Sequence, residues 1–403
     1  MSTARSRRHP VEVLVQLTAF IAMAGVLRQA LGVLGPLVVE AYALSAAALG
    51  LLASAIALGN VAATYLHGTG VQRLGVRTML LIGGVSTGLW FLPFFARPSL
   101  AVTAILFFLM GLSFSSVLPV TNAGTFEWFA RVGRGLPLGI KQAGVPLGAA
   151  VAALTLPWLA TTASWHAALG VAGVAMIVVA LAVYGRYQPG PHAEHARVKP
   201  RPPVGATDDP PAPREHTALG PAVLAAVGLV CSGLVAAVTT FSVPYLQAAR
   251  GLSLPEAGAW LAAGQGVSIL ARPVLGVLSD RVDKGRRKPQ LLGLIAFGVL
   301  GMGVLASSAL TDAVMTAPVF AVIVGVSLSW SGPVFLLAME QAPPGRVHSS
   351  SSLTIMMIRI GALVAPPVFG AVVDAASFEA GFALVAASLA VVGLVFALVY
   401  RER

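Results

Sequence analysis

Four cationic side chains lie within long apolar stretches of the sequence: Arg28, Lys141, Arg272 and Arg359. A charge at the centre of a bilayer costs roughly 2.5 to 3.5 kcal/mol even on a lenient insertion scale, so each residue needs a partner or a function. A guanidinium binds a carboxylate through two parallel hydrogen bonds, whereas an ammonium attracts anions as a point charge. These residues therefore indicate a site for an anion.

The position of each cation along its apolar stretch separates their roles. Arg28 lies about fifteen residues into the first stretch, near the expected midplane, and is the strongest candidate ligand. Lys141 and Arg359 are followed by small residues and prolines, which favours a cavity over lipid for both. Arg272 lies eight residues before Asp280 on nearly the same helical face. We expect Arg272 to have a structural role near that residue.

The acidic residues decide the sign of the predicted cavity. All fifteen Asp and Glu fall in loops, in tails or near helix ends, so no carboxylate is left at mid-depth to neutralise Arg28. We therefore expect a small anionic solute, either an organic carboxylate or a small inorganic anion. Three polar side chains could complete the site, although each could equally form an interhelical hydrogen bond: Gln29, Asn122 and Gln265. Further polar positions near the predicted site are Tyr245, Trp330 and Ser331.

The elements that hold these residues are predicted to be membrane-spanning helices. The 403 residues are 57% hydrophobic and 10% charged, with a mean hydropathy of +0.85. Because a helical crossing needs roughly 20 mostly apolar residues, the chain predicts an all-α membrane protein with twelve transmembrane helices. Their limits are 13–39, 44–67, 78–95, 100–122, 136–159, 165–184, 221–246, 255–279, 290–309, 314–339, 350–373 and 378–400.

The charge distribution predicts the orientation of these helices. Of the 26 Lys and Arg, 20 fall in predicted inner loops and tails, two in outer loops and four within helices. This asymmetry places both termini in the cytoplasm and the chain in the cytoplasmic (inner) membrane. The net charge of +11 thus marks one face of the membrane and does not indicate a nucleic-acid partner.

Other chemistries find little support in the sequence. The single cysteine, Cys231, excludes a disulfide framework or a cysteine metal cluster. A phosphate-binding loop and a metal-binding His cluster are both missing, so we expect neither an enzyme nor a cofactor. We expect a monomer whose partners are the lipid bilayer and the solute.

A Pro-rich, charged segment divides the predicted helices into six and six. The stretch "YQPGPHAEHARVKPRPPVGATDDPPAPREH" lacks apolar periodicity and has the composition of a solvated linker. The sequence thus predicts an N-terminal six-helix bundle over 1–185, a cytoplasmic linker over 186–219 and a C-terminal six-helix bundle over 220–403.

A loop motif recurs after the second helix of each half, as "GTGVQRLGVR" and "GVLSDRVDKGRR". It resembles the loop signature of the major facilitator superfamily, G-x-L-x-D-R-x-G-R-[RK], in which Asp and Arg form a cytoplasmic latch. The second copy keeps Asp280 and Arg281, whereas the first has Gln72 in place of the Asp. The resemblance implies a cytoplasmic gate formed by Gly68, Gln72, Arg73, Arg77, Arg272, Gly276, Asp280 and Arg281.

The resemblance covers essentially the whole chain and implies the major facilitator fold, with two six-helix bundles around a cavity that opens alternately to either side. The chain would then be a secondary active transporter. The first helix, with Arg28 seven residues before Gly35 and Pro36, is similar to that of the cyanate transporter branch. The residue types are also similar to organic-anion transporters such as the oxalate/formate exchangers.

Two other functions remain open at this point. A proton-coupled drug or metabolite efflux antiporter would usually carry an intramembrane Arg where this chain has Phe107, and cavity acids that attract cationic drugs are absent. A non-transporting sensor on the same scaffold is the third reading, since a fold does not decide a function. The candidate co-substrates of transport are a coupling proton and a counter-anion.

Overall fold

A computed structural model describes residues 3–129, 135–191, 219–281, 287–307, 312–340 and 347–400, with some helix-end side chains left out. This part of the chain contains fourteen α-helices, one 3-10 helix (Leu92–Ala96) and no strands. The helices are α1 (Thr3–Tyr42), α2 (Ala46–Ala62), α3 (Thr64–Leu89), α4 (Leu100–Phe114), α5 (Val117–Phe129), α6 (Gly135–Thr162), α7 (Trp165–Arg186), α8 (Leu219–Ala248), α9 (Leu254–Arg281), α10 (Lys288–Ala306), α11 (Ala313–Ser327), α12 (Ser331–Glu340), α13 (Val347–Ala375) and α14 (Phe378–Val399).

The predicted all-α membrane architecture is confirmed. Within the described residues, ten helical stretches are long and apolar enough to cross a membrane, and α2 is a shorter apolar helix. The predicted eighth span lies in α9, a 28-residue helix that carries Glu256 and Arg272. The predicted linker lies almost entirely outside the described residues, and the division into two bundles stays a prediction.

The first copy of the loop motif is folded differently from the expectation. We predicted a loop between the second and third spans, but α3 runs from Thr64 to Leu89 and includes it. Gly75 interrupts the helical geometry with φ 78°. Glycine reaches this left-handed region without the steric cost that a Cβ imposes. The chain therefore turns at one residue while the flanking residues stay helical.

Two predicted spans are each broken into two helices, which the apolar pattern did not reveal. The fourth span divides into α4 and α5 at Ser115 and Ser116, and the tenth divides into α11 and α12 at residues 328–330. Both breaks follow a 15-residue helix. Ser115 donates to the carbonyl of Leu112 at 2.8 Å and Ser116 to that of Ser113 at 2.7 Å. These hydroxyls satisfy carbonyls that the break releases in an apolar surrounding.

The last helix of each half is held by similar contacts at both ends. The halves are α1–α7 and α8–α14, and their last helices are α7 and α14. Ser164 and Ser377 cap the N-termini of α7 and α14 by accepting from the backbone N–H three residues later, at 3.1 and 3.2 Å. A basic residue contacts the far end of the same helix in both halves. Arg77 donates to the carbonyl of Tyr184, and Lys288 donates to that of Ala397, each at 2.9 Å.

The most extensive contacts between the two halves are made by three pairs of helices: α1 with α8, α2 with α13, and α6 with α9. Along α2 and α13 the hydrogen bonds extend from one end of the pair to well past its middle. Asp374 accepts from the N–H groups of Ala46 and Ala47, both at 2.8 Å. Because α2 starts at the membrane face opposite the N-terminus, this contact joins α2 to α13 at that face, which we call the outer end.

Candidate functional site

Arg28 lies near the middle of the spanning part of α1, Pro10–Tyr42. Its side chain is exposed, although its neighbours Leu27 and Gln29 are 0% and 8% exposed. Its guanidinium carbon lies 5.6 Å from the ring centroid of Phe114, the last residue of α4. Since α1 packs against α5, α6, α7 and α8, this exposed arginine faces an accessible space inside the bundle beside the α4–α5 break.

The layer next to Arg28 on the outer side is closed. Gln29 donates from Nε2 to the carbonyl of Thr239 on α8 at 3.0 Å. Gly32, one turn further, packs so closely that a Cβ there would overlap the same carbonyl oxygen. Only glycine allows this approach of α1 to α8. Helices α1 and α8 are therefore in direct contact at the level just outside Arg28.

Lys141 is fully buried in α6 and hydrogen-bonded to α5. Its Nζ donates to Thr121 Oγ1 at 3.2 Å and to the side-chain oxygen of Asn122. Both partners are neutral, so the ammonium charge is solvated by dipoles and not paired with an acid. Lys141 and Asn122, both predicted as ligands, thus contact each other.

The structure does not bring Lys141 close to Arg28. Helices α1 and α6 run parallel, and Gly148 packs directly against Ala22. Lys141 lies seven residues before Gly148, and Arg28 lies six after Ala22. At ~1.5 Å per residue, the two cations are about 20 Å apart along the helix axes.

Arg359, the third predicted cationic ligand, joins the two halves. Its Nη1 donates to the backbone oxygen of Asn60 at 3.0 Å and to the side-chain oxygen of Asn60 at 2.6 Å. Asn60 lies 14 residues after Ala46, about 21 Å from the outer end of α2. Among the described residues, this is the hydrogen bond nearest the inner end on the α2–α13 seam.

Arg272 lies beside the second broken helix. It donates from Nη2 to the carbonyl of Leu328 at 3.3 Å, directly after α11 ends. Gln265, predicted as a ligand, lies two turns away on α9 and is 4% exposed. Trp330 belongs to the same break and is 7% exposed. Tyr245 is not part of this break. It is buried between Phe320 and Phe382, with ring centroids 5.7 and 4.9 Å from its own.

The described carboxylates lie away from Arg28. The ion pair found in the described part of the chain is Arg250 with Glu379, at 3.4 Å. Glu127 is buried near the end of α5, where it accepts from Tyr187 Oη at 2.7 Å. Burial raises the pKa of Tyr187 above its ordinary value, and the nearby Glu127 carboxylate raises it further. Tyr187 therefore stays a hydroxyl donor to Glu127.

The predicted cytoplasmic gate is only partly described. The structure does not describe the side chains of Gln72, Asp280 and Arg281 or the surroundings of Gly68 and Gly276. Arg73 is exposed. The Arg77 guanidinium lies over the Tyr184 ring at 4.5 Å, in addition to its bond to the Tyr184 carbonyl. Arg77 thus contacts the carbonyl near the end of α7.

Sequence reasoning missed the breaks in α4–α5 and α11–α12. A signal was present in both places. The segments "FSSV" and "SLSWSG" put serines in the middle of apolar spans. Serine hydroxyls compete for backbone carbonyls and often accompany an interruption in a membrane helix. Ser331, which we named as a polar position near the cavity, is the first residue of α12.

A family model and a relative each match this chain over most of its length. The family model described as "Major Facilitator Superfamily" matches residues 17–366. A hexuronate transporter of Bacillus subtilis is 28% identical over 153 residues, which is 36% of this chain and 36% of that protein. The chain thus spans about a third of that relative. An uncharacterized MFS-type transporter of Mycobacterium tuberculosis is 25% identical over 339 residues, 83% of this chain and 73% of that protein.

Solved structures with the same fold share little sequence with this chain. A nucleoside transporter, NupG, superimposes with a TM-score of 0.77 at 13% identity, covering 96% of this chain and 100% of the other. A bacterial homolog of the human lysosomal transporter Spinster, in an inward-facing and occupied conformation, gives a TM-score of 0.75 at 14% identity, covering 97% and 96%. At such identities the likeness concerns the fold alone.

Proposed function

The chain belongs to the Major Facilitator Superfamily and is a multi-pass membrane transporter, not an enzyme; from this premise we propose that it moves a small anionic solute by alternating access. The solute is an organic carboxylate or a small inorganic anion. It binds at Arg28, between the outer seal and the open inner side.

One observation carries this proposal, the environment of Arg28. In the described part of the chain, its guanidinium has neither a carboxylate nor a hydrogen-bond acceptor, although it lies at mid-depth and is accessible. An unpaired guanidinium in such a place binds an anion with a large gain, because its donors are preorganised for two oxygens. A cation would meet only repulsion.

The pattern of contacts between the halves supports the transport cycle. The seal of Gln29 and Gly32 on Thr239 lies just outside Arg28, and the cap of Asp374 on α2 lies further out. With the termini in the cytoplasm, as the charge asymmetry predicts, this is an inward-facing arrangement. Transport then requires these outer contacts to break and new inner contacts to form.

The named relative supports an anion and suggests a first solute. The Bacillus subtilis protein is called a hexuronate transporter, and a hexuronate is a carboxylate with several hydroxyl groups. Arg28 would bind the carboxylate. Lys141 and Asn122 are assigned to the packing of α5 on α6, since they satisfy each other about 20 Å from Arg28.

Counterflow in proteoliposomes tests the proposal. Vesicles loaded with unlabelled glucuronate, oxalate, formate or cyanate receive a trace of the same labelled anion. We expect transient accumulation with at least one of these anions and none with a cationic drug. A matched thermal-shift series on the purified protein reports binding, because a ligand of the folded state raises its stability.

The alternatives give different results in the same two assays. Stabilisation and exchange of cationic drugs without any anion response would overturn the anion proposal in favour of efflux. Anion binding without exchange would make the chain a sensor. Coupling is read in the same vesicles: acceleration of uptake by an imposed pH gradient indicates a proton, and acceleration by an internal anion indicates a counter-anion.

A further inference from the structure

Two polar side chains of α9 face the break between α11 and α12. Ser268 and Arg272 are four residues apart and therefore share one face of the helix. Gly264, one turn before Ser268, packs against Ala321 of α11. Arg272 contacts the Leu328 carbonyl at 3.3 Å. Both side chains thus lie on the side of α9 where α11 ends.

These side chains have hydrogen-bond donors that nothing in the described chain uses. Ser268 is 0% exposed and its Oγ has no partner, and the buried Nε of Arg272 has none either. Several other hydroxyls in the spans already donate to a backbone carbonyl. Thr239 and Ser242 donate to the carbonyl four residues earlier in their own helix, at 2.7 and 2.5 Å. The hydroxyl of Ser268 is therefore available to a ligand.

The charge and size of this position define the ligand. The positive charge of Arg272 pairs with none of the carboxylates that the structure describes. The free groups are a guanidinium edge and a hydroxyl, and the backbone N–H groups at the start of α12 add to a positive potential. Arg272 is half-buried, whereas Ser268, Leu328 and Trp330 are buried. A ligand that contacts both Arg272 and the Ser268 hydroxyl must therefore be a small anion.

We propose that the C-terminal half holds a second anion-binding position, at Arg272 and Ser268 against the α11–α12 break. Its ligand is a compact monovalent anion, either chloride or the carboxylate of a one- or two-carbon acid. The position is separate from Arg28 and does not depend on what Arg28 binds. Occupancy neutralises a half-buried guanidinium that has no described carboxylate partner, which stabilises the folded C-terminal half.

Thermal unfolding of the purified full-length protein tests this position. The melting temperature is measured at constant ionic strength while a bulky sulfonate buffer anion is replaced by chloride, and in parallel by formate or acetate. We expect the melting temperature to rise by about 2 to 4 °C as the small anion saturates its site. The anion that raises the melting temperature at the lower concentration, chloride or the small carboxylate, is the preferred ligand.

Three variants locate the response. Arg272→Gln should abolish the anion-dependent rise, and Ser268→Ala should raise the half-saturating concentration about tenfold, for loss of one charge-assisted hydrogen bond. Ser327→Ala is the matched control. Ser327 is also buried, at 6% exposure, and its hydroxyl has no partner in the described chain, but it faces Gly298 on α10. This variant should respond like the wild type.

The outcomes decide between the two sites. If Arg28→Gln abolishes the rise, the anion binds at Arg28 and the second position does not exist. If the wild type shows no rise with any small anion, or Ser268→Ala and Ser327→Ala respond alike, the proposal is wrong, even if Arg272→Gln does not fold. Failure of solute exchange with a preserved chloride response would instead overturn the function proposed for Arg28.

Discussion

The two halves break the same predicted span and leave an arginine beside each break, but the two arginines have different surroundings. In the N-terminal half, Ser115 and Ser116 donate to carbonyls at the break, and Arg28 stays exposed, with the Phe114 ring against it among the described residues. In the C-terminal half, Arg272 itself donates to the released carbonyl of Leu328. Arg272 is half-buried there.

This difference explains how one scaffold can hold a mobile anion and a resident one. A carbonyl released in an apolar surrounding must find a donor. Where serines supply the donor, the nearby guanidinium is free for a ligand that enters and leaves. Where the guanidinium supplies it, the charge is held in place, and only a small anion can join it. The variants below test this contrast between an exposed arginine and a half-buried one.

The largest effect is expected for Arg28→Gln. Removal of one partner of a desolvated charged hydrogen bond costs roughly 2 to 5 kcal/mol, so anion exchange should fall by about 30-fold or more. Initial rates of counterflow measure the loss. Arg28→Lys keeps the charge but loses the paired geometry, and should fall in between. Arg97→Gln, in an outer loop, is the control; exchange at the wild-type rate in Arg28→Gln would remove Arg28 from the site.

A second large effect is expected at the outer closure. Asp374→Asn keeps the size of the side chain but removes the charge that caps α2, which should shift the equilibrium toward the outward-open state by about 5- to 30-fold, for a loss of ~1 to 2 kcal/mol. Pulsed electron resonance between spin labels at Ala41 and Ala376, in a Cys231→Ser background, reports the distance across the outer end.

The exposed carboxylate Glu40, near the same end, supplies the control for Asp374. Glu40→Gln removes a similar charge without a described bond between the halves and should leave the distance distribution unchanged. An unchanged distribution in Asp374→Asn as well would show that the cap does not hold the outer end closed.

A moderate effect is expected for Lys141→Met, on stability and not on exchange. The change leaves the acceptors of Thr121 and Asn122 without a donor, which should lower the free energy of unfolding by about 1 to 3 kcal/mol. Denaturant titration in detergent measures it. The double variant Lys141→Met, Asn122→Leu should recover part of the loss, because both partners are then apolar. Lost exchange at unchanged stability would instead place Lys141 in the solute site.

The smallest effects are expected for the paired helix-end contacts. Arg77→Gln and Lys288→Met each remove a bond to a carbonyl at the end of α7 or α14. Each should lower the free energy of unfolding by about 0.5 to 1.5 kcal/mol and leave exchange intact. A loss of exchange in only one of them would show that the two halves use this contact differently.

Much of the fold was predictable from local composition, because the bilayer imposes one periodicity and one length on every span. The predicted limits of α7 and α14 agree with the structure within two residues at each end. The breaks at Ser115–Ser116 and at 328–330 were not predicted, since hydropathy averages over a window and passes over two or three polar residues. The helical form of the first motif loop was missed for the opposite reason, because its polar residues were interpreted as a loop.

The sequence by itself determined that this is a helical membrane protein with unpaired cations in its spans, because both properties follow from residue type and position along the chain. Only the tertiary structure decided what surrounds each cation. Lys141 contacts Asn122, Arg359 contacts Asn60, and Arg272 contacts the Leu328 carbonyl, whereas Arg28 faces an open space. These partners come from other helices 19 to 299 residues away, and the packing that selects them is not encoded in any local pattern.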